Sequence, residues 1–236
     1  YVGVFAASLI LLTASGIVLL LLVSPPVTEH REGVLHHILR PVRSKAFAAA
    51  AAAEAVRGLF GGVMAFVAPT LLVIYGAGPA LVGVYVCMCA ALQMMSGYFV
   101  GRRMNGENRF SYLFIASAAL CVSSFFFLVN MGPVVVFMYG AFTSLTYAML
   151  MSPTFEIYYR AVGTIPDTVR RTGSDMASRE FYLNLGRASG VLCFLLATRT
   201  GLVPYTIAIL GLAQLLVPVF YGLADRWADE AEQGGA

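Results

Sequence analysis

Apolar residues gather into seven long stretches, at residues 1–23, 47–75, 80–100, 110–129, 134–159, 178–198 and 203–225. About 20 apolar residues carry an α-helix across a hydrocarbon core of about 30 Å, whereas a barrel strand needs only about 10. Inside that core no water is present to satisfy the backbone, so isolated apolar segments of this length must be helical. The pattern predicts an all-α membrane protein with seven transmembrane helices. Ser24-Pro25-Pro26 ends the first stretch, since Pro lacks a backbone donor and restricts the residue before it. In the gap that follows, apolar and basic residues mix over Val34-Leu35-His36-His37-Ile38-Leu39-Arg40, a composition that predicts a short helix on the membrane surface. No gap is long enough to form a soluble domain.

Charge orients the stretches. Fourteen of the fifteen Lys and Arg residues fall in the first, third and fifth gaps, in the tail, or in the helix portions reached from those sides. The gaps at 76–79 and 130–133 carry no charge, and the sixth carries only Arg199. By the positive-inside rule the C-terminus is cytoplasmic and Tyr1 lies outside. The expected organisation is a transmembrane helix at 1–23, a cytoplasmic central loop at 24–45, a six-helix bundle at 46–225 and a cytoplasmic tail at 226–236. The chain opens at Tyr1-Val2-Gly3 inside an apolar run, without the basic start of a signal peptide, so further spans are expected ahead of it.

Composition refines this picture only a little. Hydrophobic residues make up 59% and charged residues 11%, against about 25% charged in ordinary soluble domains. The net charge of +3 reports topology and gives no reason to expect a nucleic-acid partner. Cys87, Cys89, Cys121 and Cys193 lie within apolar stretches, lack zinc-type spacing and are expected to stay free and pack as small apolar residues. His36-His37 is a weak metal signal, because adjacent helical residues diverge by about 100°; no metal site and no cofactor are expected.

Ionisable groups inside a span cost about 2.5–3.5 kcal/mol each on insertion scales, so each asks for a reason. Glu54 and Arg57 stand three apart and can pair on one helix face. Glu180, Asn184 and Arg187 fall at i, i+4 and i+7 and form one stripe. Glu156 lies near the cytoplasmic end of its helix. A buried Arg187 is expected to seek a carboxylate, with Glu54, Glu156 and Glu180 as candidates. All of these also fit long side chains that snorkel to the headgroups. Gln93 adds a polar position, and Tyr139, Thr143, Thr146 and Tyr147 give an uncharged polar face. That face suits either a water-filled path or hydroxyls bonded to carbonyls one turn back. Glu54, Gly58, Gly61 and Ala65 form a stripe of small residues with one carboxylate, and Gly186–Gly190 is a GxxxG sequence whose expected role is close helix approach.

The order of these features resembles the C-terminal part of a major facilitator superfamily transporter, its sixth to twelfth helices. Gly97, Arg102 and Arg103 suit the second copy of that family's G-x-x-x-D-R-x-G-R-R loop, with Gly101 standing where the acidic residue belongs. Arg57-Gly58-Leu59-Phe60-Gly61-Gly62 and the segment from Arg179 to Arg187 are similar to uncharacterised bacterial members. The resemblance implies alternating access about a midplane site between two six-helix halves, in a bacterial cytoplasmic (inner) membrane. It implies a cavity lined by the second, third, fifth and sixth stretches, which hold Glu54, Arg57, Gln93, Thr143, Tyr147, Glu156, Glu180, Asn184 and Arg187. The fourth and seventh stretches, poor in polar residues, would be outer helices facing lipid. The implied partners are a small-molecule solute, H+ or Na+, the lipid bilayer and an N-terminal half of the same transporter. Glu54, Glu156 and Glu180 are the carboxylates that desolvation would fit for proton coupling.

Two other classes remain as readings of the residues. A seven-helix receptor matches the span count, but the short outer gaps leave little with which to capture a ligand, and a retinal Schiff base needs an intramembrane Lys, whereas Lys45 lies at the first gap. An intramembrane enzyme would need a His-Glu-x-x-His pair, a Ser-His arrangement or paired Asp residues within the spans. The chain has none, and no enzymatic activity is expected.

Overall fold

The computed structural model describes residues 44–76, 78–129, 132–164 and 172–234. The first apolar stretch, the surface helix expected around His36-His37, and the loop arginines Arg170 and Arg171 lie outside the described residues. Seven helices follow one another: α1 Lys45–Ile74, α2 Pro79–Arg103, α3 Arg109–Val129, α4 Pro133–Gly163, α5 Thr172–Thr200, α6 Val203–Ala213 and α7 Leu216–Gly234. Among the described residues, six segments are long and apolar enough to cross a membrane, α6 and α7 serving together as the sixth. These are the second to seventh stretches, and the described residues are all-helical, with six apolar helices consistent with an integral membrane protein.

The helices overrun the apolar stretches mainly at their charged ends. α4 continues to Gly163, and α7 runs on through residues 226–234, which therefore continue the helix and do not form a separate tail. Ala228 is fully buried there. At the uncharged end, Gly78-Pro79 and Gly132-Pro133 start α2 and α4 with a Gly cap and Pro in the first turn, where the missing N–H costs nothing. The connections at that end turn on Gly76 and Gly201, with φ of 75° and 72°, a backbone state that glycine adopts without strain.

α1 is the central helix and packs against α5, α7 and α4. Its crossing with α5 is backbone on backbone. A Cβ at Gly58 would overlap the carbonyl oxygen of Leu183, and one at Gly186 or Gly190 would overlap that of Ala55 or Leu59. At Gly62 it would lie 2.7 Å from the Cα of Arg187. Two GxxxG sequences, Gly58–Gly62 and Gly186–Gly190, thus face each other, and close approach is what small residues at this spacing permit. Gly61 belongs to a different face and meets open space; the side chain of Ala65 lies outside the described residues.

α3, expected to face lipid, exposes Phe114, Ile115 and Val122 on one side and has a buried face on the other. Leu113, Ala116, Ser117, Leu120, Cys121, Ser124 and Phe127 are buried at helical spacing, and α3 packs on α4, α6 and α7. Two of its serines hide their polarity by donating to carbonyls three residues back: Ser123 to Leu120 at 2.9 Å and Ser124 to Cys121 at 2.6 Å. A hydroxyl bonded in this way is apolar enough to pack, so hydropathy alone does not reveal the buried face. The least covered spans are α2 and α5. α2 is held mainly by α4, through Tyr85 lying on Gly140 and the Ser96 hydroxyl donating to the Leu145 carbonyl. Cys87 and Cys193 are exposed on these two helices, while Cys121 is buried; all four cysteines are free.

The seventh stretch is broken at Gln214-Leu215. Pro218 has no N–H to return to the Gln214 carbonyl, and the chain tightens locally instead. Leu215 N–H bonds Leu212 O at 3.0 Å and Val217 N–H bonds Gln214 O at 3.1 Å.

Candidate functional site

A fully buried carboxylate sits at the centre of the charged half of the bundle. Glu54, on α1, accepts from Arg57 one turn on, with Nε at 2.8 Å from Oε2 and Nη2 closing the same pair. Its other oxygen, Oε1, accepts from Arg179 Nε on α5 and from the Tyr221 hydroxyl on α7, both at 2.7 Å. One carboxylate therefore ties three helices together. Arg57 reaches on to the Met151 sulfur at 3.1 Å. The guanidinium of Arg179 lies 3.8 Å from the centre of the Phe155 ring, close enough for cation–π attraction.

Above this cluster the bundle holds a cavity of about 460 Å³. α1 supplies Arg57, Phe60, Gly61 and Met64, and α2 supplies Tyr85 and Gln93. α4 lines it from Tyr139 through Thr143, Thr146 and Tyr147 to Phe155, and α5 adds Arg179, Glu180, Leu183 and Arg187. α3 gives only Leu120, and the seventh stretch only Gln214. No close packing joins α2 to α5, and Gln93, Tyr147, Glu180 and Arg187 on its walls are exposed, so the cavity opens between these two helices. Gln214 is itself buried and donates to the Val56 carbonyl at 3.1 Å; the helix break places a polar side chain in the wall and satisfies it.

Of the candidate residues, Arg57, Gln93, Thr143, Tyr147, Glu180 and Arg187 meet around this one cavity, with Glu54 bonded behind its wall. Asn184 is exposed and reaches the site through Arg187, whose Nη1 donates to its Oδ1 at 3.0 Å. Glu156 does not belong here. It pairs with Arg109 at 2.6 Å, in a clasp at the charged end where Arg109 and Arg160 meet Asp225 at 2.8 and 2.9 Å and Arg160 also meets Asp229. The expected ion pair of Arg187 is likewise absent among the described residues. Arg179 takes the carboxylate instead, because it stands two turns nearer the charged end, level with Glu54. The hydroxyls of the uncharged face of α4 bond to carbonyls one turn back: Thr143 bonds the Tyr139 and Gly140 carbonyls at 3.0 and 3.1 Å, Thr146 bonds those of Phe142 and Thr143 at 2.8 and 3.2 Å, and both threonines also line the cavity.

In the candidate spanning segment Ser178–Thr200 Arg187 lies nine residues from the charged end, about 14 Å along the axis at about 1.5 Å per residue. Gly97, Arg102 and Arg103 are away from the cavity and belong to helix, the turn beginning only after Arg103. Arg102 lies 4.9 Å from the Tyr98 ring centre. The turn is fixed by Asn105 and Asn108, each side-chain oxygen accepting from the other's backbone N–H at 2.8 and 3.0 Å, and Asn108 caps the Arg103 carbonyl at 2.8 Å.

The residues that sequence reasoning passed over are Arg179, Tyr221 and Gln214. Tyr221 and Gln214 sit about one and three turns from the end of the last apolar stretch, where nothing local marks them as partners of α1.

The chain is similar to a protein of Bacillus subtilis (strain 168) described as "Uncharacterized protein YqgE", with 25% identity over 169 residues that make up 70% of this chain. The match spans 39% of that relative's length. No family model and no solved structure matches the chain.

Proposed function

We propose that the chain forms one half of a secondary transporter of the major facilitator type, moving a small solute by alternating access. The observation that carries this is the cavity itself: it is walled by α1, α2, α4 and α5 and opens between α2 and α5, with the Arg187 guanidinium exposed in its wall. Ionisable groups within membrane spans face a bundle interior or water, not lipid. A second half closing over α2 and α5 would complete the site and cover their exposed polar side chains. On this reading that half is the N-terminal part of the same transporter, the six-helix unit its C-terminal half in a bacterial cytoplasmic membrane, and the role is transport without catalysis. Coupling to H+ or Na+ would draw on Glu180, the one carboxylate in the cavity wall among the described residues, since both oxygens of Glu54 are taken by Arg57, Arg179 and Tyr221 and Glu156 is engaged elsewhere.

The test needs no knowledge of the solute. A single cysteine at Gly61, where open space surrounds the backbone, is introduced into the complete transporter without its native cysteines. It is expected to react with a water-soluble maleimide, at a rate that changes when the ion gradient is collapsed. No reaction would mean a lipid-filled cleft, and a gradient-independent rate would favour a static membrane protein such as a receptor.

A further inference from the structure

The cavity carries more positive charge than its own carboxylates neutralise. Arg57, Arg179 and Arg187 line it, against Glu54 behind the wall and Glu180 at the rim. Three cations and two anions leave one positive charge over. Glu54 has both oxygens occupied, and Glu180 lies 3.7 Å from Nη1 of Arg179. Arg179 is only 4% exposed, yet its Nη2 is buried without any acceptor among the described residues. A buried guanidinium donor left without an acceptor is costly, so Arg179 brings uncompensated positive charge to the wall. Arg187, exposed there and paired with no carboxylate among the described residues, offers the planar fork that receives one.

The rest of the wall has a different character. From Arg57 to Met64 α1 advances seven residues, about 10 Å, and over that distance the lining passes from guanidinium to Phe60, Tyr85 and Tyr139. The Thr143 and Thr146 hydroxyls point their donors at their own helix, which lowers the polarity of that part of the wall. A volume of about 460 Å³ falls within the range of small-molecule sites, about 300–1,000 Å³.

We propose that the cavity binds a monovalent organic anion, with its carboxylate held by Arg179 and Arg187 and an apolar body against Phe60, Met64, Tyr85 and Tyr139. The inference rests on the cavity being the solute site of the proposed transporter, but it is read by binding alone, so a failure of transport leaves it standing. A dissolved aromatic acid and a fatty acid taken from the bilayer share this chemistry.

Both are tested on the full chain in detergent micelles by equilibrium dialysis. Radiolabelled 2-naphthoate is challenged by unlabelled 2-naphthalenemethanol, by 2-naphthylmethylamine and by acetate, and oleate is measured in parallel. The carboxylate is expected to bind at least about tenfold more tightly than the alcohol or the amine, and acetate to compete poorly for want of a body. Binding of 2-naphthoate assigns a water-borne source; binding of oleate alone assigns the membrane. Arg179→Gln should abolish binding but removes a partner of Glu54, so Arg187→Gln is the second variant. Arg187 holds no carboxylate, and its loss should weaken binding about tenfold with the melting profile unchanged. Arg226→Gln, on the outer face of α7, should change nothing. Equal competition by the alcohol or amine, no saturable binding of either acid, or unaltered affinity in the folded Arg187→Gln variant would each overturn the proposal.

Discussion

At the scale of single residues, the side chain that matters most to folding is Glu54, and its importance lies in the number of its partners. Removing it leaves Arg57 buried without a counterion and Arg179 with only Glu180 at 3.7 Å, and breaking a buried pair costs about 3–5 kcal/mol. Glu54→Ala is therefore expected to lose that much in a denaturation titration in mixed micelles. Tyr221→Phe deletes one hydrogen bond to a charged group and should cost about 1.5–3 kcal/mol in the same titration. Glu156→Ala should cost less than about 1 kcal/mol, because its ion pair with Arg109 is open to solvent. An Ala scan in which Glu156 outweighs Glu54 would contradict the assignment of the central cluster. The Glu54–Arg57 pair is legible in the sequence because i and i+3 share a helix face, and its geometry here is the expected one. Arg179 and Tyr221 were not legible, being 125 and 167 residues from Glu54. Only the fold decides which of several basic residues near a helix start will face inward.

At the scale of elements, the contact between α1 and α5 is the least forgiving in the bundle. Gly186→Ala or Gly190→Ala drives a methyl into a backbone carbonyl that has nowhere to move, and overpacking of this kind costs typically about 1–3 kcal/mol. Gly97→Ala makes a useful contrast. It lies in a helix with open space around it, so the substitution should leave stability unchanged or raise it by up to about 1 kcal/mol. Equal effects at Gly186 and Gly97 in the micelle titration would mean that the two helices do not touch as described. The GxxxG spacing made the α5 side of this contact readable, because small residues four apart have one common mechanism. The α1 side was read one residue off, through Gly61, since a run of Gly61-Gly62 fits two faces and only the position of α5 chooses between them. α3 and the break before α7 were hidden for another reason. Ser123 and Ser124 are satisfied within their own helix and Gln214 by a distant carbonyl, and hydropathy registers the side chain without its bonds.

For the molecule as a whole, alternating charge marks out most of the architecture, because the cost of carrying Lys or Arg across the bilayer acts on every connection alike. The described structure agrees on one point that sequence alone left open: the charged ends meet. Ser44 and Thr164 share a hydrogen bond of 3.0 Å, Arg109 and Arg160 converge on Asp225, and Asn108 caps the end of α2. The opposite end holds only the short Gly-Pro turns and Arg199. This polarity gives the orientation a sharp test in intact cells, with Cys87, Cys89, Cys121 and Cys193 replaced. Cysteines at Gly78 and Gly132 start helices at the uncharged end, are expected to face outward, and should react with an impermeant maleimide added outside. A cysteine at Arg103 ends α2 at the charged face and should react only after the membrane is opened. The reverse pattern would place the basic ends outside, against an anionic inner leaflet that attracts each Lys or Arg near it by about 1 kcal/mol. It would also turn the cavity's guanidinium end toward the exterior, so the same experiment fixes the side from which the carboxylate end of a bound anion would be reached.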